Sequence, residues 1–263
     1  MDMRIVVLTD THGNLPALDA ALATIQAEGC EAIYHAGDAV GIGPYPAECV
    51  ERLLSANVRC VLGNHEAYAL DLWAHDEASG MGADEVAHHA WVRATLGSSL
   101  YEAIARWPWA LEQDSTGVRI AFLHDPLDAS GRDVSPFVVD STAEALDLLF
   151  VGYQADVAFY GHNHAASDVQ GYTRYVNPGS LGCYTEPLAR FVTLDLTDEC
   201  YTLTKRAVPY DDTDLLRAFD ERRVPDRAFI RRAFFGRSSR VIGSAGEPPN
   251  SGEVSYARPS RSC

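Results

Sequence analysis

Five short groups of polar residues follow one another along the chain, and each carries side chains that can bind a metal ion. They are Asp10-Thr11-His12, Gly37-Asp38, Gly63-Asn64-His65-Glu66, His124 and Gly161-His162-Asn163-His164. Imidazole nitrogens mixed with carboxylate oxygens suit manganese, iron or zinc, and one shared carboxylate can hold two such ions together. The set therefore predicts a two-metal site of the kind that hydrolyses phosphate esters.

Each group lies at or near the end of a predicted strand. Those strands are Arg4–Leu8, Ala32–His35, Arg59–Leu62, Arg119–Leu123 and Val157–Tyr160. Helices predicted at 15–28 and 46–55 separate the first three strands, which indicates βαβ units. Because alternate side chains of an extended segment face the same side, Asp10 can share a site with His12, and His162 with His164. The missing Cβ of Gly37 leaves room for an ion close to the backbone.

The rest of the chain divides into an insert, a later group of strands and a tail. Residues 67–107 are rich in alanine and predict two helices, which we expect to lie near the metal site and restrict access to it. Closely spaced strands predicted between residues 174 and 207 favour antiparallel pairing. Residues 1–238 are predicted to form a single domain, and 239–263 lack periodicity and are predicted to be disordered.

Composition limits the classes of protein to consider. Of the 263 residues 47% are hydrophobic and 22% charged, which is ordinary for a globular protein. The chain has neither an apolar run of about 18 residues nor a signal-like start, so we expect a cytoplasmic protein with no membrane association. Six cysteines without a paired CxxC motif favour reduced thiols.

The net charge of −16 is unevenly distributed and bears on the substrate. Residues 1–200 contain 9 basic and 29 acidic residues. Binding to long nucleic acids depends on lysines and arginines that neutralise phosphates, so such partners are not expected. A small phosphorylated substrate remains compatible with this charge, because a local pair of cations can outweigh a diffuse negative field.

The order of the five groups resembles the calcineurin-like metallophosphoesterase superfamily over about residues 4–200. The stretches 41–46 (GIGPYP) and 177–180 (NPGS) are similar to its small bacterial and archaeal phosphodiesterases. The resemblance implies an α/β fold, a four-layer αββα sandwich of two mixed β-sheets flanked by helices. It also implies a phosphodiesterase or phosphatase.

The resemblance further implies a role for each residue of the groups. The first ion would be bound by Asp10, His12 and His164, the second by Asn64, His124 and His162, and both by Asp38. His65 would contact the phosphate or the leaving oxygen without binding metal, so that Asp38 and His65 act in catalysis. A hydroxide held between the ions would attack phosphorus in line. Among the divalent ions manganese is favoured, with iron or zinc as alternatives.

Two stretches depart from the family pattern. Family members usually place glycine after the equivalent of His124, whereas this chain has Asp125. We expect Asp125 to point outward, toward Arg132, because a loop carboxylate is ordinarily exposed. An ionised Asp125 that pointed inward would weaken the attraction for phosphate. Residues 183–188 also differ from the shorter, more basic loop expected there.

Several residues outside the groups have both an ordinary and a functional interpretation. We interpret His35, His75, His88 and His89 as structural or solvated. A cluster of aromatic residues could stack on a nucleobase, but helical spacing favours a role in the core; it comprises Tyr68, Trp73, Trp91, Trp107 and Trp109. Arg174 and Arg190 could clamp a phosphate, and ordinary pairing is the favoured interpretation.

Three other functions stay open. A non-catalytic metal-binding scaffold on the same fold is disfavoured because all seven ligands and His65 are present. A nuclease acting on long DNA is disfavoured by the acidic charge. A protein serine/threonine phosphatase generally carries arginines where this chain has Leu62 and the stretch 41–43, and the missing arginines disfavour that activity.

Overall fold

A computed structural model of the chain describes residues 3–73, 81–127, 142–197 and 200–236, together with the backbone of 255–256. The strands are β1 (Met3–Leu8), β2 (Ala32–His35), β3 (Arg59–Cys60), β4 (Ala110–Ser115), β5 (Val118–Leu123), β6 (Val157–Phe159), β7 (Ser167–Gln170), β8 (Arg174–Asn177), β9 (Leu188–Thr197), β10 (Cys200–Pro209) and β11 (Ser255–Tyr256). The helices are α1 (Leu15–Glu28), α2 (Pro46–Ser55), α3 (Asn64–Ala69), α4 (Ala83–Ile104), α5 (Ala143–Leu149), α6 (Thr213–Glu221) and α7 (Arg227–Phe235).

The strands form two mixed sheets. The first has the order β11-β10-β9-β1-β2-β3, with β1, β2 and β3 parallel and the other neighbours antiparallel. The second has the order β4-β5-β6-β8-β7, with β5, β6 and β8 parallel between two antiparallel edge strands. Helices flank both sheets, so the predicted α/β fold of two mixed sheets is confirmed.

The apolar residues of β1 show how the layers are held together. Ile5 and Val7 face the second sheet and pack in one core cluster with Phe122 and Phe159. Val6 and Leu8 alternate to the opposite face, where they pack against α1 and α2. A strand that is buried on both faces has a continuous apolar sequence, and residues 5–8 of β1 (IVVL) have one. On the outer face of the second sheet, α5 packs through apolar residues of its own.

The predicted insert, residues 67–107, contains the end of α3 and the whole of α4, and α4 bends at Gly97, whose φ is +66°. Three of the tryptophans pack around the cluster that α4 forms with the body of the protein; they are Trp91, Trp107 and Trp109. Trp73 is buried and stacks on Trp109 at 5.1 Å between ring centroids. These contacts agree with the interpretation of these residues as core. His75 lies outside the described residues.

The C-terminal helices α6 and α7 pack onto a cluster that includes Ile42 and Cys183. Of the tail predicted at 239–263, the structure describes only Ser255 and Tyr256, whose backbone pairs with β10. The five cysteines that fall within the described residues are free thiols. Within those same residues, every helix is too short or too polar to cross a membrane.

Candidate metal centre

The candidate site lies where the two sheets meet, at the ends of their parallel strands. The first sheet contributes side chains that follow β1, β2 and β3, and the second contributes side chains that follow β5 and β6. Because parallel strands end at the same edge of a sheet, residues far apart in sequence converge there. The first sheet supplies Asp10, His12, Asp38 and Asn64, and the second supplies His124, His162 and His164.

One group of ligand atoms surrounds Asp10. The Nε2 atoms of His12 and His164 lie 2.9 Å apart, and Asp10 Oδ1 lies 3.6 Å from the first and 3.5 Å from the second. Thr9 Oγ1 donates a hydrogen bond of 2.7 Å to Asp10 Oδ2. Asp10 Oδ1 is buried and has no hydrogen-bond partner among the described residues. A buried carboxylate oxygen that faces two ring nitrogens fits a cation.

A second group surrounds Asn64. Its Oδ1 lies 3.0 Å from His124 Nε2 and 3.1 Å from His162 Nδ1. His124 Nδ1 lies 2.9 Å from the carbonyl oxygen of Ala36, a contact that turns Nε2 toward the site. Such a backbone partner for the outer ring nitrogen is typical of metal-binding histidines.

Asp38 connects the two groups. Its Oδ2 lies 3.7 Å from His12 Nε2 and 3.2 Å from His124 Nε2, while its Oδ1 accepts a 2.9 Å hydrogen bond from the backbone N–H of His65. One carboxylate oxygen thus faces a histidine of each group. The structure brings together all seven of the residues that the sequence predicts as ligands, and the donor set fits divalent ions.

The electrostatics of the site favour a bound cation. Burial by itself would raise the pKa of Asp10 and Asp38, but the surrounding imidazoles hold both values well below the ordinary range. Burial would lower the pKa of His124, yet the Asp38 and Asp10 carboxylates raise it to about 10. Burial lowers the pKa of His164 to about 4, which leaves its imidazole neutral and able to donate a lone pair. Two ionised carboxylates therefore draw positive charge into the site.

The backbone is strained at the ligands. Five of the seven have a left-handed conformation, with φ of 52° at Asp10, 48° at His12, 58° at Asp38, 69° at His162 and 56° at His164. For a residue with a Cβ atom this conformation costs about 1–3 kcal/mol, and it occurs preferentially at functional sites. The packed surroundings hold these turns in place and aim the side chains inward.

Two glycines allow the close approach of the metal-site loops. A Cβ at Gly37, where φ is +85°, would lie 2.7 Å from His124 Cβ, so this glycine makes room for a ligand side chain and not directly for an ion as the sequence suggested. A Cβ at Gly161 would clash with Thr9 Oγ1 and lie 2.6 Å from Asp10 Oδ2. At each of these glycines, a loop of one sheet lies directly against a predicted metal ligand of the other sheet.

The less buried side of the site carries four partly buried residues. They are Asn64, His65, His162 and His164, whereas Asp10 and Asp38 are buried. Burial holds the pKa of His65 well below its ordinary value, against the attraction of Asp38, so its imidazole is neutral.

Helices from outside the two sheets flank this side. The ring of His89 in α4 stacks on Tyr68 at 4.6 Å and meets the ring of His65 edge-on at 5.7 Å. The ring of Phe234 in α7 lies 5.8 Å from that of His164. The insert helix α4 thus contacts His65 through His89, while restriction of access by the insert stays a prediction.

The other predicted histidines have structural contacts. His35 Nε2 lies 2.8 Å from Thr11 Oγ1, inside the first ligand loop. His88 Nδ1 lies 3.3 Å from the carbonyl oxygen of Pro225, which joins α4 to the start of α7. Both imidazoles are buried, in agreement with the structural interpretation.

The two arginines considered as phosphate clamps have other partners. The guanidinium of Arg174 donates two hydrogen bonds of 2.8 Å to the carboxylate of Asp168. Arg190 lies over the ring of Tyr184 at 3.2 Å from its centroid. Both contacts agree with the interpretation of ordinary pairing.

Asp125 differs from the expectation of an exposed loop carboxylate. It is half-buried, and burial together with the nearby Asp10 raises its pKa to about 7, although His124 opposes that shift. Arg132, its expected partner, lies outside the described residues. Asp125, which replaces the glycine usual in the family, thus adds a carboxyl group whose neutral form is favoured by burial.

Glu66, for which no role was predicted from the sequence, is buried and contacts the backbone of two metal-site loops. Its buried carboxylate accepts hydrogen bonds from the backbone N–H groups of Asp38 and Gly63, both at 2.8 Å, and of Val40 at 3.0 Å. These bonds tie the start of α3 to the loop that carries Asp38. An acidic residue at the third position of a helix often bonds to the backbone that precedes it, and this was the signal available in the sequence.

The chain belongs to the calcineurin-like phosphoesterase superfamily, since residues 3–199 match the model of that family's domain. It is 31% identical over 151 residues to the uncharacterized protein MJ0912 of Methanocaldococcus jannaschii. That match covers 57% of this chain and 61% of the relative, so the chain spans less than two thirds of the length of that protein.

Two solved structures share the fold. A metallophosphoesterase from Sphaerobacter thermophilus is 22% identical, with a TM-score of 0.67 over 88% of this chain and 98% of the other. The hypothetical protein PH1004 from Pyrococcus horikoshii is 21% identical, with a TM-score of 0.74 over 90% of this chain and 99% of the other. Family and site together define the broad class of the chain, a domain of the calcineurin-like phosphoesterase superfamily whose residues are suited to bind divalent metal.

Proposed function

We propose that this protein holds two divalent ions and uses them to hydrolyse a small phosphorylated metabolite or nucleotide. One observation carries the proposal: Asp38 Oδ2 lies within 3.7 Å of a ring nitrogen in each of two ligand groups. A carboxylate oxygen in that position is suited to bridge two ions. Asp10 Oδ1, which is buried and has no hydrogen-bond partner within the part of the chain that the structure describes, supports the same conclusion for one of the two positions.

In this proposal each ion takes ligands from both sheets. Asp10, His12 and His164 hold the first ion, Asn64, His124 and His162 hold the second, and Asp38 binds both. When bound, such a pair of ions polarises a phosphoryl oxygen and lowers the pKa of water to about 7. The mixture of imidazole, carboxylate and amide ligands suits manganese, with iron or zinc as alternatives.

His65 is the residue we assign to the substrate. Its backbone N–H is fixed by Asp38 Oδ1, and its neutral, partly buried ring lies on the less buried side of the site. A neutral imidazole carries one N–H donor, which can bond to a phosphate oxygen or to the leaving oxygen. In this role it orients the ester and stabilises charge that develops as the bond to phosphorus breaks.

The proposed substrate is small for two reasons. The net charge of −16 opposes a long polyanion, whereas a single phosphate group meets the local positive charge of the ions. In addition, His89 of α4 and Phe234 of α7 lie beside the site and narrow the approach to His65 and His164.

The test is a metal add-back assay with matched variants. Metal-stripped protein receives manganese, iron, zinc or magnesium separately, and hydrolysis of bis-p-nitrophenyl phosphate and p-nitrophenyl phosphate is followed. We expect one metal to restore turnover, Asp38→Asn to abolish it, and His65→Gln to keep the metal content while kcat falls by about 10²-fold. Asp114→Asn, an exposed carboxylate on β4, is the control and should behave as the unaltered protein.

Several results would overturn the proposal. Turnover without metal, or normal activity of Asp38→Asn, would refute the assigned chemistry. Binding of two ions with no hydrolysis of any ester would favour the non-catalytic scaffold. Cleavage of long DNA in preference to the small esters would favour a nuclease.

A further inference from the structure

The segment that follows β8 lies between the two loops that carry the first group of ligands. The backbone N–H of Ser180 donates to the carbonyl oxygen of His164 at 3.1 Å, and that of Gly182 donates to the carbonyl oxygen of Asp10 at 3.0 Å. Ser180 Oγ donates to the same Asp10 carbonyl and accepts from the backbone N–H of Cys183, both at 2.8 Å. The position of Cys183 is therefore fixed relative to both ligand loops.

The side chain of Cys183 faces these ligands. Its sulfur and a ring nitrogen of each of His12 and His164 all lie within 4.8 Å of one another. Asp10 Oδ1, which is buried and has no hydrogen-bond partner among the described residues, lies 3.6 Å and 3.5 Å from Nε2 of the same two histidines. Three atoms that can bind a metal thus lie together, and Asp10 Oδ1 lies beside Nε2 of both histidines.

The separations are compatible with a shared ion. Zinc binds thiolate sulfur at about 2.3 Å and imidazole nitrogen at about 2.0–2.1 Å, so a sulfur and a nitrogen on one tetrahedral ion lie about 3.6 Å apart. Ligand atoms that lie within 4.8 Å of one another would have to approach by at most about 1.2 Å to reach that separation. Thiolate is also a softer ligand than any in the seven-residue set.

We propose that Cys183 is an eighth ligand, which binds the first ion through its sulfur; this rests on the proposed function, since it requires that the ion binds. On binding, the S–H bond breaks, the proton passes to solvent and a metal–sulfur bond forms, with no change of oxidation state. A thiolate ligand shifts the preference of this position from manganese or magnesium toward zinc, cobalt or ferrous iron. The competing role for Cys183 is packing alone, since it also borders the apolar cluster of α6 and α7.

Cobalt substitution separates these two roles. Metal-stripped protein is titrated with Co²⁺ and its near-ultraviolet absorption is recorded, while bound cobalt is measured by elemental analysis. A cobalt–thiolate bond gives a charge-transfer band that imidazole, amide and carboxylate ligands do not give. We expect the band in the unaltered protein and its loss in Cys183→Ala. The matched control is Cys49→Ala, which alters a buried cysteine of α2 that packs in one core cluster with residues of α1, and this variant should keep the band.

A second measurement does not depend on a variant. X-ray absorption of the zinc-loaded, unaltered protein should show a sulfur neighbour at about 2.3 Å from zinc. Cobalt or zinc that binds without any sulfur signal would overturn the assignment of Cys183 and leave the proposed function standing. A band that persists in Cys183→Ala would also overturn it. Failure of the unaltered protein to bind either metal would instead refute the proposed function itself, and this inference with it.

Discussion

A single added methyl group at Gly161 should disturb both proposed ion positions. A Cβ there would clash with Thr9 Oγ1, lie 2.6 Å from Asp10 Oδ2 and lie 3.0 Å from His124 Nδ1. Thr9 and Asp10 belong to the first sheet, and neither can retreat because both are buried. The Gly161→Ala variant therefore has to displace Asp10, whose Oδ2 would lose its hydrogen bond from Thr9.

The magnitude follows from these contacts. Overpacking a buried site costs about 1–3 kcal/mol, and a lost hydrogen bond to a charged group adds about 1.5–3 kcal/mol. We expect the free energy of unfolding of the metal-free protein to fall by about 3 kcal/mol. Because groups that orient metal ligands contribute about 10–100-fold to affinity, the dissociation constant for manganese or zinc should rise by a similar factor.

The assay compares Gly161→Ala with Gly152→Ala, a glycine for which an added Cβ would meet nothing within 4 Å. Urea unfolding of metal-free protein gives the stability, and calorimetric titration with manganese and zinc gives the affinity. Gly152→Ala should match the unaltered protein within about 0.5 kcal/mol. Equal metal affinities for the two variants would refute the reasoning that Gly161 keeps Asp10 in position.

Two further predictions concern groups away from the ions. Burial lowers the pKa of His88 from 6.5 to about 4, so the unfolded chain takes up a proton at higher pH than the folded chain. As the pH falls from 6.5 to 4, the free energy of unfolding should therefore decrease by up to ~3 kcal/mol more than it does in a His88→Gln variant, since each pKa unit corresponds to about 1.36 kcal/mol. The measurement is urea unfolding across this pH range, and an equal decrease in the two proteins would contradict the prediction. The guanidinium of Arg174 donates two hydrogen bonds to Asp168, and a lysine cannot reproduce both. Arg174→Lys should therefore lower the melting temperature and leave KM for both p-nitrophenyl esters unchanged. A raised KM would show that Arg174 contacts substrate.

Much of the fold could be predicted from the sequence, because the buried strands and capped helices have strong local signals. The predicted bounds of α1 and α2 coincide with the observed ones, and the side chain of Asn14 accepts a capping hydrogen bond at the start of α1. The strands β4 and β7 were not predicted. Their sequences, ALEQDS and SDVQ, are polar because both strands lie at edges of the second sheet, where burial imposes little apolar alternation.

The residues of the candidate site likewise divide into those that were predicted from the sequence and those that were not. The seven residues carried by motifs converge, since each follows a strand whose position the fold determines. Glu66 and Cys183 had no predicted role. The helix-start position of Glu66 indicates its bond to Gly63, but its other partners and those of Cys183 come from segments distant in sequence. Glu66 bonds to backbone groups of residues 38–40, and Cys183 reaches His12 from a segment more than 160 residues away. Asp125 was expected to be exposed, but local sequence does not reveal how loops from two sheets bury one another.

The division of the ligands between the two sheets links ion binding to the last step of folding. Residues up to Asn64 supply part of each proposed ligand set, and residues from His124 onward supply the remainder. A chain in which only one sheet has formed holds neither set complete, so it has no means of retaining ions tightly. Contacts this distant in sequence form late, after the loop-closure entropy has been overcome. Each ion, at a concentration of 100 times its Kd, would then stabilise the assembled protein by about 2.7 kcal/mol and give partly folded chains no comparable advantage. Metal content would in this way report whether folding has been completed.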